Sequence, residues 1–300
     1  MFRLGTIVAA TDFSALARHA AARAALLAER DQSALTLLHV VPGGALQELR
    51  QWLGHGCAAE RQLLADAQQQ LQPLADALHL AHQIAVSPQI ASGTVHEEIA
   101  THAESIDADL LVLGDRGEGF LGRLGLGSTS ERLLRRTSRP VLVVRQMPQQ
   151  PYQRVLLPLD FSAWSAPAID LARRVAPDAR LVLLNVFQVP FAEKLNFAGV
   201  DAGTVEVYRQ QARALASQRL HAAAQSAGLA AGRWEAVIVE GEASRCIVEQ
   251  EQEQDCDLVV LGKHGQSVAE DLLLGSVSLH VLAEGKIDVL VSTAHASAAE

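Results

Sequence analysis

The chain has 300 residues, 49% of them hydrophobic and 20% charged, with a formal net charge of -9. That length exceeds an ordinary single domain, so two domains with a sizeable buried core are expected. The acidic balance excludes a general nucleic-acid binder, which carries a basic stripe, and no apolar run approaches the roughly 20 residues of a membrane span.

Aromatic residues make up 4% of the chain, so the core must be built from Leu, Val, Ile and Ala. An acidic chain can still hold a phosphate locally, through oriented backbone amides and one or two arginines. Cys57, Cys246 and Cys256 are too few and too scattered for a disulfide framework or a metal knuckle. Cys246 and Cys256 read as small buried hydrophobes. The first residues run straight into a strand-like TIVAA with no signal-peptide layout, and the expected compartment is the reducing cytoplasm.

In chain order, Thr6–Ala10 reads as a strand ending in Thr11-Asp12-Phe13-Ser14, and Ser14 caps a helix over Ala15–Arg30. Ala34–Val41 is a second buried strand, stopped by Pro42-Gly43-Gly44. A long Gln-, Ala- and Leu-rich helix is predicted over about Ala45–Leu80, kinked or divided at Pro73. His82–Ile90 is a third, less apolar strand, placed nearer an edge. Thr94 and Glu97 have capping-box spacing for a helix over Val95–Ser105. Leu110–Leu113 is a fourth strand. A glycine-rich connection follows it, then an amphipathic segment over Thr129–Thr137 and a fifth strand at Val141–Val144.

Gln146–Gln153 is polar, carries two prolines and reads as a linker, after which the pattern restarts with a strand at Val155–Leu159. Asp12, Gly93, Asp109, Gly114, Gly117, Gly127 and Ser128 recur as Asp160, Gly241, Asp257, Gly262, Gly265, Gly275 and Ser276. All keep one shift of 148 positions, as from 114 to 262, which marks a tandem duplication. Strands and helices alternate in each half, so the fold class is α/β, two doubly wound domains with helices on both sheet faces. The domains are expected at residues 1–146 and 153–294. Ligands of such sheets sit beyond the carboxyl ends of the strands at the topological switch point. With the first strand beside the fourth, Asp12 and the loop from Gly114 share one crevice, and Asp160 and the loop from Gly262 share another.

A lone G-x-x-G is often a purely steric turn. Here the pattern is longer, G-x2-G-x9-G-S between a buried strand and a helix, and it stands twice: Gly114, Gly117, Gly127, Ser128 and Gly262, Gly265, Gly275, Ser276. With the TDFS at Thr11–Ser14, the LDFS at Leu159–Ser162 and the DLLVLG or DLVVLG before each loop, it resembles the ATP-binding branch of the universal stress protein family, over both halves. The resemblance implies five-stranded parallel sheets of order 3-2-1-4-5, and binding of ATP, or AMP or ADP, with or without Mg. It implies that Asp12 and Asp160 lie by base and ribose and that Val40 and Val186 give backbone contacts to adenine. The glycines, with Ser128, Thr129 and Ser130 in one half and Ser276 and Ser278 in the other, would wrap ribose and phosphates. Thr11 and Leu113 complete the first set, and Pro158, Leu261 and Val277 the second, Val277 standing where the first half has Thr129. It further implies that the fifth strands of the halves pair as an intramolecular pseudo-dimer, with homodimers of the chain left open.

The physics of the pattern agrees, since glycine permits close backbone approach and a helix N-terminus favours an anion. Ordinary N-capping accounts for Ser and Thr at such positions equally well. The copies differ. The first loop carries Arg116 and Arg123, either within reach of a phosphate, and the second has Lys263-His264 and the acidic Glu270-Asp271. His264 is expected to be a solvent-exposed loop histidine. The first site is therefore the favoured one.

No G-x4-G-K-[ST] is present, and G-x-G-x-x-G occurs only as Gly117, Gly119, Gly122 after the fourth strand, where it overlaps the longer motif. No histidine spacing marks a metal site, and no Ser-His-Asp arrangement is placed at the strand ends. The leading expectation is a nucleotide-dependent stress-response regulator that binds without obligatory turnover. Two alternatives stand beside it: a slow divalent-cation-dependent ATPase or phosphotransferase, with Asp12 or Asp160 as the only candidates to position its water, and an interaction scaffold in which the glycines serve only as turns.

Overall fold

The computed structural model describes residues 3–53, 58–117, 126–189, 202–265 and 274–293. The first half runs β1 (Thr6–Ala10), α1 (Ala15–Asp31), β2 (Ala34–Pro42), α2 (Gly43–Leu53), α3 (Ala58–His82), β3 (Val86–Gly93), α4 (Val95–Ser105), β4 (Leu110–Gly114), α5 (Ser128–Arg136) and β5 (Val141–Val144). The second runs β6 (Arg154–Pro158), α6 (Ser165–Val175), β7 (Arg180–Phe187), α7 (Ala202–Ser226), β8 (Trp234–Glu240), α8 (Ala243–Glu253), β9 (Leu258–Gly262), α9 (Ser276–Glu284) and β10 (Asp288–Ser292).

The ten described strands join one sheet in the order β3-β2-β1-β4-β5-β10-β9-β6-β7-β8. Within each half the pairings are parallel, as β1 on β2 and β4 or β6 on β7 and β9. The halves meet where β5 and β10 pair antiparallel, with Val143 opposite Val289. That pairing covers two strand edges that would otherwise present unpaired amides and carbonyls. It also fixes orientation: the carboxyl ends of the strands in one half point opposite to those in the other.

The central strands are apolar on both sides because helices cover both faces. Ile7, Leu35, Leu110, Val155, Leu181 and Leu258 pack on one face with buried residues of α1, α3, α6 and α7. Val8, Leu38, Leu111, Leu156, Val182 and Val259 pack on the other with residues of α4, α5, α8 and α9. Each apolar layer is continuous across the two halves.

Several expectations are corrected. The predicted helix over Ala45–Leu80 is two helices, α2 and α3, and Pro73 lies inside α3. Gln69 and Pro73 both face solvent, so the carbonyl deprived of its proline N–H partner turns to water. α3 continues through His82, where Gln83 in the left-handed region (φ 54°) ends it, so the third strand starts at Val86 rather than His82. It is the edge strand on its side. The capping box at Thr94 does not form: Thr94 makes no side-chain cap bond, and Glu97 pairs with Arg136 at 2.9 Å. The helix expected from Thr129 starts at Ser128, with Gly127 as its N-cap. Cys57, Gly119, Gly122, Arg123, Glu270 and Asp271 lie outside the described residues. Among those described, no helix is long and apolar enough to cross a membrane.

The junction is held by more than the strand pair. Arg23 donates to the Gln150 carbonyl at 2.8 Å and lies 3.9 Å over the Tyr152 ring, whose hydroxyl donates to Asp288 at 2.6 Å. Arg30 donates to the carbonyls of Val175 and Arg174 at 2.5 and 2.7 Å, and Arg174 pairs with Asp109 at 2.9 Å.

Candidate functional site

β1 and β4 are neighbours in the sheet, so their carboxyl ends open a crevice between them. The chain leaves β1 through Phe13, whose φ of 66° puts a bulky residue in the left-handed region, a conformation costing roughly 1–3 kcal/mol. Phe161 after β6 repeats it at 61°. The sharp turn lets Asp12 Oδ1 accept from the Ser14 amide at 3.1 Å, and Asp160 Oδ1 from Ser162 at 2.9 Å. Each carboxylate then faces its glycine loop. A Cβ at Gly117 would lie 2.5 Å from Asp12 Oδ2, and one at Gly265 2.9 Å from Asp160 Oδ2. The glycine and the acid, 105 residues apart in sequence, thus meet at close range in both halves.

The far end of each loop is fixed in the same way. The Gly127 amide donates to the Asp115 carbonyl at 3.0 Å, and the Gly275 amide to the Lys263 carbonyl at 3.0 Å. Glycine at the N-cap brings no side-chain oxygen to the first turn, which leaves the leading N–H groups of α5 and α9 available to an anion. Ser128 is exposed, and Thr129 is half-buried. The third hydroxyl is committed elsewhere: Ser130 Oγ donates to the Gly114 carbonyl at 3.2 Å, and Ser278 Oγ to Gly262 at 2.9 Å.

In the first half these residues line a cleft of about 840 Å³. Thr11, Asp12 and Val40 come from the ends of β1 and β2, Leu113 and Gly114 from β4, and Gly117 and Gly127–Ser130 from the loop and α5. All ten expected positions therefore meet in one place. Arg116 lines it too and pairs with Asp115 at 3.4 Å. Sequence reasoning missed His39, Asp66 and Gln70, which line the same cleft. His39 stacks on Phe13 at 4.4 Å and its Nδ1 donates to the Thr11 carbonyl at 2.8 Å. Its place just before Val40 was the available signal. Asp66 and Gln70 stand four apart on α3, and nothing local to the chain ties that helix to the crevice.

The second half assembles its own ten positions: Pro158, Asp160 and Val186 from strand ends, Leu261 and Gly262 from β9, then Gly265, Gly275, Ser276, Val277 and Ser278. Its cavity is about 160 Å³. Ligand pockets generally measure roughly 300–1,000 Å³, a range the first cleft meets and the second does not. Trp164 and His264 line the smaller cavity, with ring centroids 4.9 Å apart. His264 is 5% exposed, which corrects the expectation of a solvent-facing loop histidine; the indole of Trp164, beside the start of α6, lies against its ring. Asp160 here also accepts from Ser165 Oγ at 3.2 Å. Among the described residues no group of three or more His, Cys, Asp or Glu is placed to hold a metal ion.

The model of the universal stress protein family matches the chain twice, over residues 4–145 and 151–293. A universal stress protein of Mycolicibacterium smegmatis is 30% identical over 304 residues, spanning 95% of this chain and 96% of the relative. Universal stress protein G of Shigella flexneri is 30% identical over 125 residues, 42% of this chain and 87% of the relative. Among solved structures, a universal stress protein from Archaeoglobus fulgidus superposes with a TM-score of 0.68 at 18% identity, covering 97% of this chain and 98% of that one.

Proposed function

The chain belongs to the universal stress protein family, and from that premise we propose that its first half binds an adenine nucleotide, ATP or its mono- or diphosphate, as a reversible regulatory ligand. The observation that carries this reading is the 840 Å³ cleft, in which a carboxylate, an apolar strand end and an uncapped helix N-terminus converge.

Each part has a role set by its chemistry. Val40, Leu113 and Ile99 give the base an apolar seat, and the backbone at Val40 offers edge hydrogen bonds. Asp12, an acceptor-only group when ionised, suits the ribose hydroxyls. The amides of Ser128 and Thr129, with the Ser128 hydroxyl, face the phosphates at the positive end of α5, and Arg116 adds charge at the rim. A divalent cation would arrive with the phosphates rather than on a protein-built site. The second half, with the same backbone and a cavity of 160 Å³, takes the nucleotide more weakly or not at all. Among the described residues, no geometry favours hydrolysis over binding.

The test is calorimetric titration of nucleotide-free protein with ATP, with mass spectrometry of the protein as purified. One tight site per chain is expected. Saturation to 100 times Kd would add about 2.7 kcal/mol to stability, readable as a rise in Tm. No heat and no Tm shift at millimolar ATP would sink the reading.

A further inference from the structure

The two glycine loops do not end their contacts within their own halves. Lys263 is the first residue after β9 and precedes His264, which lines the second cavity. Its side chain is buried, 6% exposed, and Nζ crosses the junction to donate to the carbonyls of Arg135 and Thr137 at 3.2 and 3.5 Å. Those carbonyls are at the C-terminus of α5, the helix whose N-terminus lines the first cleft.

The reverse contact exists with different chemistry. The position matching Lys263 in the first loop is Asp115, which is paired with Arg145 at 3.4 Å. Arg145 follows β5 and donates to the carbonyls of Leu282 and Ile287 at 2.5 and 3.1 Å. Leu282 lies in the last turn of α9, whose N-terminus lines the second cavity. The residue matching Arg145 is Thr293, which donates to the Ser138 carbonyl at 2.5 Å. Each loop therefore grips the tail of the helix that opens onto the other half's site, directly through a lysine in one direction and through an aspartate–arginine pair in the other.

We propose that Lys263, a residue of the second half, is a positioning residue for the first cleft: its ammonium fixes α5 and complements the negative end of the helix whose positive end faces the ligand. α5 has nine residues, short enough that restraint at its tail is felt in its first turn. By linkage, whatever shifts the second loop shifts ligand affinity in the first, and the converse holds equally. The ligand arm of this inference rests on the nucleotide reading above; the helix arm does not.

The experiment compares the full chain with Lys263→Met, Lys263→Arg and Tyr152→Phe, the last removing the buried bond to Asp288 elsewhere in the same junction. Two readouts are taken. One is ATP affinity by calorimetry. The other, without nucleotide, is hydrogen exchange of the amides from Glu131 to Leu134, where Glu131 N–H closes the first turn on the Gly127 carbonyl at 3.0 Å. Lys263→Met should weaken ATP binding about three- to tenfold and speed exchange by a similar factor. Lys263→Arg should stay within about twofold of the parent on both, and Tyr152→Phe should lower Tm with neither effect. Unchanged exchange in Lys263→Met, or equal acceleration in Tyr152→Phe, overturns the proposal. If Lys263→Met does not fold, Lys263→Gln, which keeps a donor without the charge, decides it on the same readouts. If the parent takes up no ATP, the nucleotide reading falls, while the exchange comparison still decides the role of Lys263.

Discussion

Asp12 and Gly117 show how much one residue pair can specify. A Cβ at 117 would stand 2.5 Å from Asp12 Oδ2, so a larger residue there would push the carboxylate out of the place that the left-handed turn at Phe13 gives it. Asp12→Asn keeps the shape and the bond to Ser14 while removing the charge. Loss of a charged acceptor to ribose is worth roughly 1.5–3 kcal/mol, so ATP affinity should fall about 10- to 150-fold with Tm little changed. Titration of the variant checks this, and an unchanged Kd would move the ribose elsewhere. Asp160→Asn should leave the tight site untouched. Gly127 makes a poorer probe, because a Cβ there meets the Asp115 carbonyl at 2.9 Å and would open the loop itself.

Among the elements, α3 is the least regular in sequence and the most instructive. Pro73 occupies its interior on the solvent side, so the helix lacks one intrahelical backbone bond, for which water stands in. Pro73→Ala should restore it and raise stability by about 1–3 kcal/mol, measured as the urea midpoint at unchanged m. α3 also supplies Asp66 and Gln70 to the first cleft, whereas no described residue of the matching helix α7 lines the second cavity. That difference was not legible in the sequence. Period and turn chemistry are local, and they mark the strands, the duplication and the loop glycines, because Gly114 and Gly127 act through backbone geometry and Asp12 through a side-chain bond two residues along the chain. The width of a cleft depends on how a distant helix packs, and His264 meets Trp164, 100 residues before it, only in the folded chain. The failed capping box has the same origin: Glu97 is claimed by Arg136 from a neighbouring helix.

At the scale of the molecule, the junction concentrates buried charge. Glu251, on α8 and 1% exposed, accepts from the Lys286 amide at 2.8 Å, and its Oε2 has no hydrogen-bond partner among the described residues. Burial pushes its carboxyl above the usual glutamate range, outweighing the Lys286 amide and the Arg145 charge. A raised pKa in the folded state means the native protein binds the proton more tightly. Stability from this group is therefore present below the ordinary glutamate pKa and is lost as pH rises through the raised folded value. Glu251→Gln should remove that slope. Urea unfolding across pH 4 to 8 checks it: the parent should gain stability relative to the variant as pH falls through that window, and parallel curves would refute the assignment.

The antiparallel meeting of β5 and β10 has one more outcome. Because it turns the halves end for end, the two mouths open at opposite poles of the molecule. On the nucleotide reading proposed above, a protein seated over one pole would leave the other in open solvent, so that ligand could enter or leave at one end while a partner engaged the other. Two parallel halves would have placed both mouths under the same footprint and forced ligand and partner to compete.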